Sequence, residues 1–458
     1  MRTSACLFFN PGCNREGSIN GTQPLKTYSD AVAFLYNLQY RGMKFGLRGI
    51  RGLLRDVGDP HQRFPSVHIA GSNGKGSTAA MIAAMLRASG RRVGLYTSPH
   101  LVDFRERVGV NGKPIPQWAV LALVRKLRTF IEKRNVTFFE ATTALAFLYF
   151  AKSRVDIAVI ETGLGGRLDA TNVVKPLVSV LTTISLEHTQ ILGNSISRIA
   201  YEKAGIIKQR VPCVTGVRGG PALRVIRSTC KQRQSELTEV GTIRYTVHSW
   251  HQDRSVASFD AGGIQLKNLL VGLPGTFQVR NAVAAVAAVR LLGKIGFPVS
   301  EKQIRRGLKF VRRLSGLQAR LSVQGTRPRM IMDVAHNPEA VSALVGALTE
   351  LDVRDVILVF GVMRDKKVRP MLHLLSPITR EAIAVQPGTT RSMPARGLEE
   401  ILRKMRIPAR SFTTVREGLR EARASAGKGG TVLVMGSHFV VGEALAVLGR
   451  KKYLTINQ

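Results

Sequence analysis

The sequence predicts an α/β protein of two units, each built around a mostly parallel sheet. Three observations predict it. A β-branched run, a glycine-rich loop and a small-residue helix follow one another in "SVHIAGSNGKGSTAAMIAAML" (66–86), and strand and helix patterns alternate beyond it. The alternation stops at 311–318 and restarts with "RMIMDVAH", "PEAVSALVGALTEL" and "DVILVFGV". At 458 residues the chain is longer than one ordinary core organises.

Residues 1–24 are polar and irregular and read as an extension without chemistry. "YSDAVAFLYNL" reads as a helix capped by Ser29 or Asp30. "SVHIAG" is a strand, "STAAMIAAMLRASG" a helix closed by Gly90, and "RRVGLYTS" the next strand. "ATTALAFLYFAKS" is a helix, "VDIAVIETG" and "VSVLTTI" are strands, and "ISRIAYEKAGII" is helical again. Residues 240–270 read as short strands and hairpins, and "NAVAAVAAVRLLGKIG" as a long helix ending at Gly293 or Gly296. In the second unit "GLEEILRKM" is a helix and "GTVLVMGS" a strand. The expected division is an extension over 1–24, a first unit over 25–313 and a second over 314–458.

Composition narrows the function classes. A hydrophobic fraction of 44% is that of a globular chain, and "AVAAVAAV" is far too short to span a bilayer. "MRTSACLFFN" makes a poor signal peptide, so a soluble cytoplasmic protein is expected. Cys6, Cys13, Cys213 and Cys230 show no C-x-x-C spacing and read as free thiols in a reducing compartment. The net charge of +38 would suit a nucleic-acid binder. Lys and Arg are scattered, however, with no basic block and no basic–aromatic array for stacking single strands. The charge reads as a solvated basic surface whose field attracts small anionic substrates. A basic phosphate-loop RNA-binding protein stands as the remote alternative.

In "AGSNGKGST", Gly71, Gly74 and Gly76 let the backbone turn its amides inward, Lys75 offers charge to β- and γ-phosphates, and Ser77 or Thr78 offers a hydroxyl to phosphate or metal. Strand, loop and helix stand in the order that aims helix amides at a phosphate. A purely structural turn is the plain alternative. The usual loop, G-x-x-x-x-G-K-[ST], lacks the glycine that here separates Lys75 from Ser77.

With that inserted glycine, "SNGKGST" resembles the ATP loop of the Mur ligase superfamily, which forms amide bonds through acyl phosphates. Further stretches resemble one branch, the folylpolyglutamate synthase/dihydrofolate synthase family: "TSPHLVDFRERVGVNG", "TFFEATTALAFLYF", "ETGLGGRLDATN", "EHTQILGNSISRIAYEKAGIIK", "LPGTFQVRNAVAA", "MDVAHNPEA", "FGVMRDK" and "MGSHFVVGEAL", the last where the family has a closing strand. They run in order from about residue 25 to 445.

The resemblance implies a phosphate-loop ATPase-type first domain and a smaller Rossmann-like second one. It implies ATP and Mg²⁺ as cofactors, with Gly74, Lys75, Gly76, Ser77, Asn281, Arg320, Asp333 and His336 around ATP and Asn337 framing the nucleoside. It carries Ser98, Glu161 and His188 over as metal ligands, and Lys203 as a carbamylated lysine. Small and apolar neighbours around Lys203 would lower its pKa and leave an amine for CO₂. Folate-side contacts fall on Phe138, Phe139, Arg167 and Asp169, with Phe45 to Arg48 as a weaker set. Each has an ordinary alternative: a salt bridge for Glu161, a Ser-Pro turn for Ser98, a structural histidine for His188, a helix cap for Asn281, a surface charge for Arg320 and an unmodified lysine for Lys203. The chain departs from the family with Glu187 in place of Asp, "LQAR" at the loop arginine, and a Lys after Asp365 in "FGVMRDKK" where a second Asp is common.

The implied reaction is ATP-dependent addition of L-glutamate to dihydropteroate, to (tetrahydro)folate, or to both, by a monomer free of nucleic acid and membrane. The alternative inside the superfamily is a cell-wall Mur-type amino-acid ligase.

Overall fold

The computed structural model describes residues 24–42, 44, 46–261 and 265–449. The expected extension therefore lies outside the described residues except for Pro24, as do Cys6, Cys13 and Phe45. Cys213 and Cys230 are buried free thiols.

Eight strands form the first sheet: β1 (Ser66–Ala70), β2 (Val93–Tyr96), β3 (Val108–Val110), β4 (Lys113–Pro114), β5 (Ile157–Glu161), β6 (Val178–Leu181), β7 (Cys213–Thr215) and β8 (Leu237–Glu239). Their order is β4-β3-β2-β5-β1-β6-β7-β8. The run from β2 to β8 is parallel, and β3 and β4 are antiparallel edges. β1 and β5 are buried along their whole length, which is why they read as unbroken apolar runs. Side chains alternate between two cores. Val67, Ile69, Ile157 and Val159 meet the helices Lys75–Ala88 and Thr276–Gly293 on one face. Ala158 and Ile160 meet Phe147 and Phe150 of the helix Phe138–Lys152 on the other.

The 240–270 region forms an antiparallel sheet of β9 (Tyr245–Trp250), β10 (Ser255–Asp260) and β11 (Gln265–Val271). It adds Ala257, Phe259 and Leu269 to the first core.

The second unit holds β12 (Ser322–Thr326), β13 (Arg329–Met332), β14 (Val356–Phe360), β15 (Thr379–Val385), β16 (Ala409–Phe412) and β17 (Thr431–Met435), in the order β12-β13-β17-β14-β15-β16. Only the β12–β13 pairing is antiparallel. Val311 and Leu314 pack in the core of the first unit, and Ala319 and Leu321 in cores of the second. Arg87 donates to the Leu314 carbonyl (2.8 Å) and Arg312 to the Arg320 carbonyl (3.0 Å), tying the crossover to the first unit.

Three expectations need correction. The cap of the first helix, Tyr28–Asn37, is Thr27, and Asp30 returns its carboxylate to the cap amide. The long helix starts at Thr276, five residues ahead of Asn281, and it ends at Gly293. "MGSHFVVGEAL" is strand only through Met435; Ser437 then caps a helix over His438–Leu448. No helix among the described residues is long and apolar enough to cross a membrane.

Candidate active site

The chemistry collects at the carboxyl ends of β1, β2, β5 and β6, where a parallel sheet leaves its helix N-termini and loops open. The phosphate loop leaves β1 at Ala70. Gly71 has φ +154° and lies so close to Thr182 that a Cβ would strike its hydroxyl. Gly74 has φ +84°, and a Cβ there would strike the Asn281 side-chain oxygen. The end of β6 holds the loop. Asn73 N donates to Thr183 Oγ1 (3.1 Å), Thr182 Oγ1 donates to Asn73 O (2.7 Å), and Ser185 N donates to Ser72 Oγ (2.9 Å).

Lys75 opens the helix Lys75–Ala88, one turn ahead of the buried Ser77 and Thr78. Its ammonium rests on the carbonyls of Gly71 and Ser72, both at 3.0 Å, so among the described residues its hydrogen bonds are all to its own loop.

Glu161 ends β5 beside Ile69 of β1 and is 4% exposed. Burial raises its pKa; Lys75 and Arg320 oppose that, and the Ser98 amide donates to its carboxylate at 3.2 Å. Lys203 is 2% exposed, so the expected burial is present. It is also paired: Nζ lies 2.9 Å from Glu187 and 2.8 Å from the Gly71 carbonyl. Burial pulls its pKa down to about 8 against the pull of Glu187. Glu187, at the departure from the family's Asp, spans this gap and is held at about 2, where the charges of Lys203 and Lys75 outweigh burial. His188 follows with φ +47°, and burial with the nearby Lys366 lowers its pKa to about 4, leaving a neutral imidazole.

The second unit closes over this edge. Arg320 lies against Gly76, and Asp333 accepts from the amides of Leu321 (2.7 Å) and Ala335 (2.8 Å), which fixes the turn carrying Arg320. Both Asp333 oxygens are thus engaged by backbone. His336 Nδ1 donates to the Val334 carbonyl (2.9 Å), and the ring faces His438, ring centroids 5.5 Å apart. Asn337 Nδ2 donates to Asn73 Oδ1 (2.9 Å) and Asn73 Nδ2 to Glu339 (2.6 Å), a clasp between the phosphate loop and the helix Pro338–Glu350.

A cavity of about 1200 Å³ runs along this seam, lined from both units by residues including Phe139, Arg167, Asp169, His188, His336 and Arg391. Phe139 is wedged against Gly163, where a Cβ would strike its ring. Phe138 is mostly covered by Tyr36 and Phe104. Arg167 pairs with Glu202 (2.8 Å) and lies over Tyr201. Asp169 is 6% exposed and accepts from the amides of Leu164 (2.8 Å) and Thr171 (3.0 Å) and from the Thr171 hydroxyl. Behind Thr171 stands His68, fully buried, Nε2 at 2.8 Å from the same hydroxyl and Nδ1 without a partner among the described residues. Gly46 of the weaker folate-side set also lines the cavity.

The sequence reading missed the Asn73–Asn337 clasp, the line from His68 to Asp169, and Arg107, a buried arginine on the cavity wall. Only Arg107 gave a signal: a cation at the start of the apolar strand "RVGV".

Family models match both units: the Mur ligase middle domain over residues 69–289 and the Mur ligase, glutamate ligase domain over 319–438. The chain is 39% identical over 430 residues to a probable bifunctional folylpolyglutamate synthase/dihydropteroate synthase of Haloferax volcanii, covering 91% of this chain and 50% of that protein. It thus spans half the length of that relative. It is 35% identical over 362 residues to the dihydrofolate synthase/folylpolyglutamate synthase of Bacillus subtilis, covering 77% of this chain and 83% of that one. Among solved structures, Mycobacterium tuberculosis folylpolyglutamate synthase complexed with ADP and AMPPCP superposes with a TM-score of 0.84 at 30% identity, over 92% of this chain and 99% of that one. With the inserted-glycine loop, the clasped second unit and these relatives, the chain belongs to the folylpolyglutamate synthase/dihydrofolate synthase family of ATP-dependent glutamate ligases.

Proposed function

We propose that this chain joins L-glutamate to dihydropteroate and to reduced folates, by way of an acyl phosphate. The observation that carries the reading is the cavity of about 1200 Å³ that brings Ser98, His188, His336 and Asn337 together with Asp169 and Phe139. Residues 25–313 would bind ATP and pterin, and residues 314–458 would close over them.

Amide formation from a free carboxylate is uphill, so ATP first phosphorylates the substrate carboxylate. Loop amides and Lys75 neutralise the transferring phosphoryl group. Lys75 can leave its own carbonyls for phosphate without breaking a hydrogen bond outside the loop among the described residues. Asn281, Arg320, Asp333 and His336 frame the nucleotide, Asp333 by fixing the turn of Arg320. The glutamate amine then attacks the acyl phosphate and phosphate leaves; holding three substrates in line is most of the catalysis. Asp169 presents a carboxylate to the pterin N–H groups, and Phe138, Phe139 and Arg167 bound the ring and its linker.

Mg²⁺ fits this edge. Glu161 is a buried carboxylate with one amide partner, facing the loop between two cations. No cluster of three or more His, Cys, Asp or Glu among the described residues could hold a metal by itself. That suits an ion that takes much of its shell from phosphates and water. Ser98, Glu161 and His188 would hold it, and it would supply charge neutralisation to the phosphates. Lys203, with its lowered pKa, is placed to become the carbamate; the change of sign would part it from Glu187. We further assign the protein to the cytoplasm as a monomer, without nucleic-acid or membrane partners.

The deciding assay is ADP release with glutamate plus dihydropteroate, then with tetrahydrofolate. Release with both supports the reading. Release only with a UDP-muramoyl peptide moves the chain to the cell-wall branch.

A further inference from the structure

Arg107 ends the short 3-10 helix Phe104–Arg107, one residue before β3, and is 5% exposed, yet it lines the cavity. Its guanidinium has five N–H donors. Nε donates to His100 Nδ1 at 2.8 Å, and neither terminal nitrogen has a hydrogen-bond or ion-pair partner among the described residues. Burial lowers its pKa, and the opposing pull of neighbouring groups, Glu106 and Glu161 among them, offsets only part of the lost hydration. A buried, unpaired cation is costly unless an anion joins it.

The surroundings say which anion. The guanidinium carbon sits 5.2 Å from the centroid of the Phe138 ring. Tyr96, Tyr36, Glu106 and Glu161 all lie within its electrostatic reach. The nucleotide's phosphates have their own cations in Lys75 and Arg320. Arg107 instead stands between the aromatic wall and the edge where phosphorylation occurs. An aryl carboxylate fits that position, with its ring along Phe138 and Phe139 and its carboxylate on the guanidinium.

The mounting is fixed as well. Arginine only donates, so His100 Nδ1 carries the lone pair and its proton is on Nε2, which faces Tyr36 Oη at 3.1 Å. Burial and Arg107 keep His100 neutral, so it adds no competing charge. We propose that Arg107 receives the carboxylate that is to be phosphorylated, held in place for it by His100 and Tyr36. The proposal rests on the pteroyl-substrate reading above.

The test is equilibrium binding without ATP, using dihydropteroate and its carboxamide. Wild type should prefer the acid by roughly tenfold to a hundredfold, the range of a hydrogen-bonded charged group. Arg107→Met should bind acid and amide alike, with amide affinity unchanged, which also reports that the cavity is intact. His100→Ala should lower the preference and leave amide binding as it was. An Arg107→Met protein that keeps the wild-type preference overturns the proposal. Should that variant fail to fold, Arg107→Lys decides: it keeps a cation but not the fork, so the preference should fall at least about threefold, and an unchanged preference overturns the assignment. Wild type that binds neither compound sinks the pteroyl reading itself, and this proposal with it; wild type that binds both equally sinks this proposal alone.

Discussion

Gly74→Ala isolates what the phosphate loop demands of its backbone. Gly74 caps the helix Lys75–Ala88 with φ 84° and ψ −7°. An alanine held in that left-handed conformation costs about 1–2 kcal/mol. Its Cβ also strikes the Asn281 side-chain oxygen, so Asn281 must turn and give up the hydrogen bond it makes to Gln278 at 3.0 Å. That adds about 1 kcal/mol, for a total of about 2–3 kcal/mol. The two tryptophans, Trp118 and Trp250, both lie in the first unit, so urea unfolding followed by their fluorescence reads the affected part. A second substitution separates the terms. In Gly74→Ala/Asn281→Gly the collision is gone and the backbone strain remains, so the pair should couple by about 1 kcal/mol. Gly74→Ala within about 0.5 kcal/mol of wild type, or a cycle with no coupling, would refute the reasoning.

Lys75→Ala should fold normally, since among the described residues it hydrogen-bonds to its own loop alone, and should turn over at less than roughly a tenth of the wild-type rate; ADP release at a larger fraction would remove Lys75 from the phosphoryl step. Glu161→Gln and His188→Ala should each raise the Mg²⁺ concentration needed for half-maximal rate, and superimposable Mg²⁺ titrations for both variants and wild type would end the metal-ligand assignment. Lys203→Ala should be inactive and partly restored by short-chain carboxylates standing in for a carbamate; full activity of the variant in CO₂-depleted buffer would refute that role. The same variant strands Glu187 without its ammonium partner, so the Glu187 pKa should climb from about 2 toward the normal carboxylate range, as carboxyl titration by NMR would show.

The parts of the fold legible in the sequence were those whose pattern has one physical meaning. β1 and β5 are buried on both faces, so they had to be continuous apolar runs. Gly90 marks the end of its helix because it takes φ +90° there. The helices Gln117–Arg134, Gly220–Gln232 and Val415–Ala426 escaped notice although their buried residues recur at helical spacing, as in Val120, Leu123, Val124 and Leu127, because the many basic residues on their outer faces separate those apolar positions in the sequence. Thr27 lost the cap to Asp30 in the reading because both are good capping residues and only the reciprocal hydrogen bonds tell them apart. For the site, Lys75 and Glu161 stood out through their place between a strand and a loop. The pairing of Lys203 with Glu187 did not, because sixteen residues and the end of a helix separate them. Contacts such as Asn73 to Asn337 depend on how two units meet, and no local pattern encodes that.

The line from His68 through Thr171 to Asp169 has a consequence for observation. A hydroxyl carries one proton and can give it to one neighbour. While Asp169 is ionised, Thr171 must point its proton there, so His68 can only donate through Nε2, and Nδ1 is left bare, the same atom that has no partner. Were Asp169 protonated, the line would reverse: the carboxyl would give to Thr171, Thr171 to His68, and the imidazole would move its own proton to Nδ1. A ring that solvent never reaches therefore keeps, in its choice of tautomer, a record of the charge in the cavity on the other side of the strand. Nitrogen-15 shifts of that one buried ring would read the cavity's occupancy from behind, with no probe placed inside it.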